Sequence, residues 1–182
     1  MKMRSYESKV VSLARLVNAR KQLRRARKKL VFTNGCFDLL HVGHAEYLAF
    51  ARNQGDALVV AVNSDASVRK NKGTSRPIVP QDDRARMLAA LEAVDYVILF
   101  DDDEPQRLLW ALLPDVLVKG ADWAHYVAGR EIVEKTGGKV VLAPICQGKS
   151  TTNIIEKILG QKRGSIGRRS TAGHRSRVVK QS

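Results

Sequence analysis

The sequence predicts an α/β protein built as a doubly wound parallel sheet of about five strands. Three observations lead there. Continuous apolar runs, of which 57–62 (Ala-Leu-Val-Val-Ala-Val) is the clearest, fit strands buried on both faces. Segments with helical apolar spacing alternate with these runs along the chain. A glycine-containing turn, 34–44 (Asn-Gly-Cys-Phe-Asp-Leu-Leu-His-Val-Gly-His), joins a strand to a helix.

The 182 residues are one domain's worth of chain, enough for an α/β core. The net charge of +14 is unevenly placed. Residues 1–30 hold 11 Lys/Arg against one acid, residues 160–182 hold 7 and none, and residues 31–159 hold 14 against 17 acids. The basic excess is therefore terminal, which argues against a nucleic-acid-binding face spread over the domain. Nothing approaches the ~18 apolar residues of a membrane span, and no signal peptide is expected. Two cysteines, Cys36 and Cys146, are too few for a disulfide framework and read as reduced thiols, so a cytoplasmic protein without membrane contact is expected.

Taken in order, residues 1–8 read as a loose lead-in. From Lys9, the spacing of Val10, Leu13, Leu16, Val17 and Leu23 predicts an amphipathic helix running into the basic stretch 24–29. The expected organisation is a basic helical segment 1–29, a central domain 30–160 and a flexible basic tail 161–182 that cannot bury a core. Residues 30–33 form the first strand. The helix after the turn carries Tyr47, Leu48 and Ala51 on its apolar side. A helix start offers unpaired N–H groups and a positive dipole end, which suits phosphate. His41 and His44 stand three residues apart there, and Gly43 leaves room for a nucleotide. A zinc site using both with Asp38, or a pair of ordinary histidines, are the competing readings.

The strand at 57–62 ends at Asn63-Ser64-Asp65, where α/β sheets place their ligands; Asp65 is equally a cap for the next short helix. Residues 70–80 read as a long polar loop whose Lys70, Lys72 and Arg76 could close over phosphates. Residues 81–93 predict a helix with Met87, Leu88, Ala90 and Leu91 inward, then a strand at 96–100. The acids 101–104 read as a cap for a helix at 106–113 more readily than as a metal site. A fourth strand, 116–118, leads to Lys119-Gly120-Ala121-Asp122-Trp123, where Lys119 could balance phosphate and Trp123 could stack on a base or pack inside. A helix at 127–136 ends at two glycines, and 139–143 is the fifth strand. Ser150-Thr151-Thr152-Asn153 then opens a last helix, 154–159. Ser150 or Thr151 is its cap, and the same hydroxyls suit a β- or γ-phosphate.

The stretch Phe-Thr-Asn-Gly-Cys-Phe-Asp-Leu-Leu-His-Val-Gly-His resembles the signature of the HxGH nucleotidyltransferases, relatives of glycerol-3-phosphate cytidylyltransferase and pantetheine-phosphate adenylyltransferase. Blocks at 61–69, 117–122 and 150–155 also match, and the likeness is greatest to the bacterial heptose 1-phosphate adenylyltransferases. It spans about residues 30 to 159. The resemblance implies a Rossmann-like fold with the N-terminal helix packed on it. It also implies transfer of AMP from ATP to a heptose 1-phosphate with Mg²⁺, for lipopolysaccharide or a related glycan, and a homo-oligomer. On the matching positions it implies His41, His44 and Lys72 as catalytic groups. Thr33, Asn34, Gly35, Cys36, Phe37, Gly43, Lys119, Gly120, Asp122, Ser150, Thr151 and Thr152 would bind nucleotide. Asp38, Asn63, Asp65 and Arg84 would bind the sugar phosphate, with Asp38 near the magnesium. The family carries an acid where Gln147 stands and an aromatic or small residue where Lys149 stands; this departure either alters the reach of the site or adds a cation.

An attacking phosphate is already ionised, so the reaction needs alignment and charge neutralisation rather than a base. The two phosphate-binding helix starts, at 41–44 and 150–153, are expected to converge. Spacing and charge do not distinguish ATP from CTP or a heptose from glycerol 3-phosphate. A cytidylyltransferase on a smaller alcohol phosphate is therefore the alternative, with a non-catalytic nucleotide- or RNA-binding module as the alternative of another class.

Overall fold

Strands β1 (Leu30–Gly35), β2 (Ala57–Asn63), β3 (Tyr96–Phe100), β4 (Val116–Gly120) and β5 (Lys139–Ala143) form one parallel sheet in the order β3-β2-β1-β4-β5. This is the five-stranded doubly wound arrangement the sequence predicts. The computed structural model describes residues 5–144, Cys146 and 148–165. The basic stretch beyond 165 and the departure at Gln147 lie outside the described residues.

Both faces of the sheet are covered, which is why its central strands read as unbroken apolar runs. Side chains alternate across β1: Leu30 and Phe32 join one core, Val31 the other. The first core includes Leu16 of α1 (Leu13–Arg25), Leu108, Leu109 and Leu112 of α5 (Gln106–Leu112), and Ile132 and Val133 of α6 (Arg130–Lys135). The second includes Leu48 and Ala51 of α2 (Val42–Arg52) and Ala85 and Leu88 of α4 (Gln81–Ala89). Each fully buried leucine contributes roughly 1.5–3 kcal/mol.

Several boundaries differ from expectation. The N-terminal helix starts at Leu13, not Lys9, because Ser12 caps it by accepting the Arg15 N–H. Before it, Tyr6–Lys9 form a 3-10 turn, and Val10 pairs with Val97 beside β3. Lys70 and Lys72 belong to the helix α3 (Asp65–Lys72), capped by Ser64 through the Ser67 N–H, so the loop proper is 73–80. Helix α4 stops at Ala89, and Met87 faces solvent at 55% exposure. Arg84, Ala85 and Leu88, with Leu88 four and three residues after the other two, take the inward face instead.

One compact unit ends at Lys149 and a second begins at Ser150. Helix α7 (Thr151–Ser165) belongs to the second, with the Ser150 Oγ accepting the Asn153 N–H at 3.1 Å as an N-cap. Among the described residues no helix is long and apolar enough to cross a membrane.

Candidate functional site

The sheet order reverses between β1 and β4, the point where open α/β sheets leave a crevice. The β1–β4 pairing covers Val31 with Val116 and Phe32 with Leu117, after which the two strands run on toward a cavity of about 230 Å³. Its walls are Asn34, Gly35, Cys36 and Phe37 after β1, His41, Gly43, His44 and Tyr47 on α2, Lys119, Gly120, Asp122 and Trp123 after β4, and Pro144, Cys146 and Lys149 after β5.

The histidine pair is the centre of this cavity. Helix α2 begins at Val42, with His41 as its extended N-cap residue, so only His44 lies on the helix itself. The rings nonetheless stack, 3.9 Å between centroids at 26°. Phe37 backs His44 at 5.4 Å, held there by a left-handed backbone (φ 48°). Both Nδ1 atoms are buried and have no hydrogen-bond partner among the described residues, an arrangement that is rare in native interiors and points to a site that meets a ligand. Burial, then the charge of His41, brings the His44 pKa down to about 4. Burial and the Lys149 ammonium lower His41 as well. Two neutral imidazoles can sit this close, where two cations could not. Gly43 permits the stack: a Cβ there would lie 3.1 Å from the His41 ring and 3.3 Å from the Lys149 Cβ.

Across the cavity, the Lys119 Nζ donates to the Asn34 carbonyl at 3.3 Å and lies 5.9 Å from the Trp123 ring centroid. Burial pulls its pKa down to about 8, against the opposing charges of Asp122, Cys36 and Glu104. The Asn34 Oδ1 is a further buried acceptor with no partner among the described residues. A Cβ on Gly120 would displace the exposed Asp122 carboxylate from its place against the backbone.

Other expected site residues are committed to the scaffold. Asp38, with a side chain 1% exposed, accepts from Arg76 Nε at 2.6 Å and from the Ile78 and Val79 N–H groups. Burial pushes its carboxyl up, but those donors outweigh it and hold the pKa below the usual carboxylate value. Arg84 is buried, donating to Val79 O, Cys36 O and Asp65 Oδ1 (2.7 Å). Asn63 donates to the Ser67 Oγ, and Thr33 is buried against the Tyr47 hydroxyl at 2.6 Å. Asp38, Asn63, Asp65, Arg84 and Thr33 therefore stand outside the described wall, which Arg84 reaches through Cys36 O and Thr33 through the Tyr47 hydroxyl. Lys72 is exposed at the end of α3 and is not in the cavity wall. Ser150, Thr151 and Thr152 start α7 in the second unit.

Sequence reading misses Tyr47, Pro144 and Cys146 in the wall; Tyr47 counts there only as part of the helix's apolar face. Its hydroxyl donates to Val118 O at 3.0 Å and so ties α2 to the ends of β1 and β4. A signal is present in the sequence: Tyr47 follows His44 by three residues and shares that helix face. Among the described residues no three His, Cys, Asp or Glu side chains gather to hold a metal, and the acids at 101–104 instead meet Lys70, Arg107 and Tyr126.

A family model described as cytidylyltransferase-like matches residues 32–157. The chain is 53% identical over 161 residues to the bifunctional protein HldE of Geotalea uraniireducens (strain Rf4), covering 88% of this chain and 32% of that protein. It is 58% identical over 133 residues to the bifunctional protein HldE of Geobacter sulfurreducens, covering 72% and 27%. The chain thus spans about a third of the length of the curated relatives it matches. Among solved structures it is similar to the lipopolysaccharide core biosynthesis protein from Thermoplasma volcanium GSS1, with 28% identity and a TM-score of 0.54 over 67% of this chain and 99% of that one. The pantothenate synthetase from Thermus thermophilus, 18% identical with a TM-score of 0.59 over 85% and 70%, shares the fold.

Proposed function

The chain belongs to the cytidylyltransferase-like family, and from that premise we propose that it transfers AMP from ATP to a heptose 1-phosphate, releasing pyrophosphate and giving an ADP-heptose for lipopolysaccharide or a related glycan. The observation that carries the heptose branch is the 53% identity to an HldE protein over 88% of the chain. The resemblance read from the sequence blocks points to the same branch, and so does the likeness to a lipopolysaccharide core biosynthesis protein.

The cavity suits that chemistry. An oxygen of the sugar phosphate forms a bond to the α-phosphorus, the bond from that phosphorus to the β-bridging oxygen breaks, and pyrophosphate leaves with the electron pair. The attacking oxygen carries no proton at neutral pH, so no group need accept one. Catalysis rests on alignment and on charge stabilisation at the reacting phosphates. His41 and His44, both neutral, each present one N–H to a phosphate oxygen. Lys119 supplies positive charge from the opposite wall. A protein cage for magnesium does not fit the described residues, among which no three His, Cys, Asp or Glu side chains gather and both Asp38 oxygens are engaged by Arg76, Ile78 and Val79. Magnesium would instead enter with the nucleotide and supply charge neutralisation at its phosphates.

Pyrophosphate release from ATP or CTP, each with heptose 1-phosphate or glycerol 3-phosphate, tests the reading. Turnover with ATP and heptose 1-phosphate alone is expected. Turnover with CTP alone would keep the mechanism and overturn the branch, and no turnover from folded protein in any pairing would overturn the proposed acceptors.

A further inference from the structure

We propose that Lys149 is a polyphosphate-binding residue of this cavity, its ammonium contacting the nucleotide's phosphates beside the histidine pair. This rests on the nucleotidyl-transfer reading above and adds to it a residue that reading does not use.

The argument is one of charge. A nucleoside triphosphate and a sugar phosphate bring several negative charges into one small cavity. Of the cations near it, Arg76 and Arg84 are consumed by Asp38 and Asp65, and Lys72 lies outside the wall. The histidines are neutral. The cations left in the wall are Lys119 and Lys149, and Lys119 faces Asp122. Among the described residues, Lys149 is the cation on the histidine side of the wall.

Geometry places Lys149 where that charge is needed. A Cβ on Gly43 would crowd the His41 ring at 3.1 Å and the Lys149 Cβ at 3.3 Å, so the three residues pack around one point. The Lys149 N–H donates to Cys146 O at 3.4 Å, fixing the turn that carries it. Among the described residues no salt bridge engages its ammonium. Its charge already reaches the pair, since it is the second cause, after burial, that keeps His41 neutral. An ammonium beside His41 adds a full positive charge, and so a charge-assisted donor, to the ring N–H groups that meet phosphate there.

The test uses inorganic tripolyphosphate, which removes base and sugar from the question. Binding is measured by calorimetry for the wild-type chain, Lys149→Met and Lys149→Arg, with melting curves alongside. Loss of one charge-assisted contact is expected to weaken binding by about tenfold in Lys149→Met at unchanged melting temperature. Lys149→Arg should stay within about threefold of wild type, and the difference between variants should shrink as salt is raised. Wild-type affinity in folded Lys149→Met would overturn the assignment while leaving the nucleotidyl-transfer reading intact. Failure of the wild type to bind tripolyphosphate would instead overturn the phosphate reading of the cavity, and this assignment with it. Should Lys149→Met not fold, protection of wild-type Lys149 from acetylation by tripolyphosphate, read by mass spectrometry, decides the matter: equal labelling with and without it rejects the contact.

Discussion

His44 shows how much a single residue's environment decides. Its pKa of about 4 means that the ring refuses a proton which the unfolded chain, at the ordinary value of 6.5, accepts. The unfolded state therefore binds more protons between those values, and stability falls as pH drops from 6.5 toward 4. His44→Asn should flatten that part of the curve, as measured by urea midpoints at pH 7 and pH 5; an unchanged slope would remove His44 as its source. Phosphate brought to the pair acts the other way, favouring the imidazolium. At pH 6, ATP binding should then take up a fraction of a proton, seen as a buffer-dependent calorimetric enthalpy that His44→Asn loses. Lys119 titrates on the other side. Its pKa of about 8 implies that the wall loses positive charge as pH rises through 8, so kcat/KM should fall there. Lys119→Arg, which stays charged, should hold its activity to higher pH.

At the scale of elements, the loop 73–80 is held by one carboxylate. Asp38 accepts from Arg76, Ile78 and Val79, and Arg84 closes the same knot through Val79 O, Cys36 O and Asp65. Asp38→Ala leaves a largely buried guanidinium and two N–H groups without their acceptor, at a cost of about 2–4 kcal/mol. Urea unfolding and faster proteolytic cutting in 73–80 should show this. A folded variant with full stability but little activity would return Asp38 to a substrate role. The same knot shows what sequence can and cannot reveal. The turn with His41, Gly43 and His44, the buried strand 57–62 and the Ser150 cap are legible, because each is written in neighbouring residues. The occupation of Asp38 is not, since its donors lie 38 to 41 positions away. The stacking of His41 on His44 escapes for a related reason: helical spacing suggests one face, whereas His41 reaches the stack from an extended cap. Lys72 reads as loop in the sequence, yet α3 runs through the lysines and ends only at Gly73.

For the main unit as a whole, the sheet is fastened at its opposite end by Arg20 and Asp115. Arg20, buried on α1, donates to Leu112 O, to Leu113 O and to both Asp115 oxygens at 2.8 and 3.1 Å. Asp115 also accepts the Leu30 N–H, and its backbone carbonyl accepts the Lys139 N–H. One pair thus joins α1, the end of α5 and the starts of β1, β4 and β5. The amphipathic segment before residue 30 is accordingly part of the core, with Leu16 fully buried in it. Burial pushes the Asp115 carboxyl up, yet the Arg20 and Leu30 donors and the nearby arginine charges hold it lower than its ordinary 3.8. Its contribution is therefore complete above pH 3.8 and is lost as pH falls through the lowered value. Arg20→Ala removes the side-chain donor from Leu112 O and leaves Leu113 O with Arg24 and the Asp115 carboxylate with the Leu30 N–H. Because Asp115 is 39% exposed and water can reach it, the expected loss is about 2–3 kcal/mol rather than the full cost of a buried pair. The fastening lies at the amino ends of the strands, away from the cavity at their carboxyl ends. Arg20→Ala should therefore lower the urea midpoint while leaving kcat and KM per folded molecule within about twofold. A variant that kept wild-type stability would make α1 an ornament on the sheet, and one that kept stability but lost kcat would place α1 in the reaction itself.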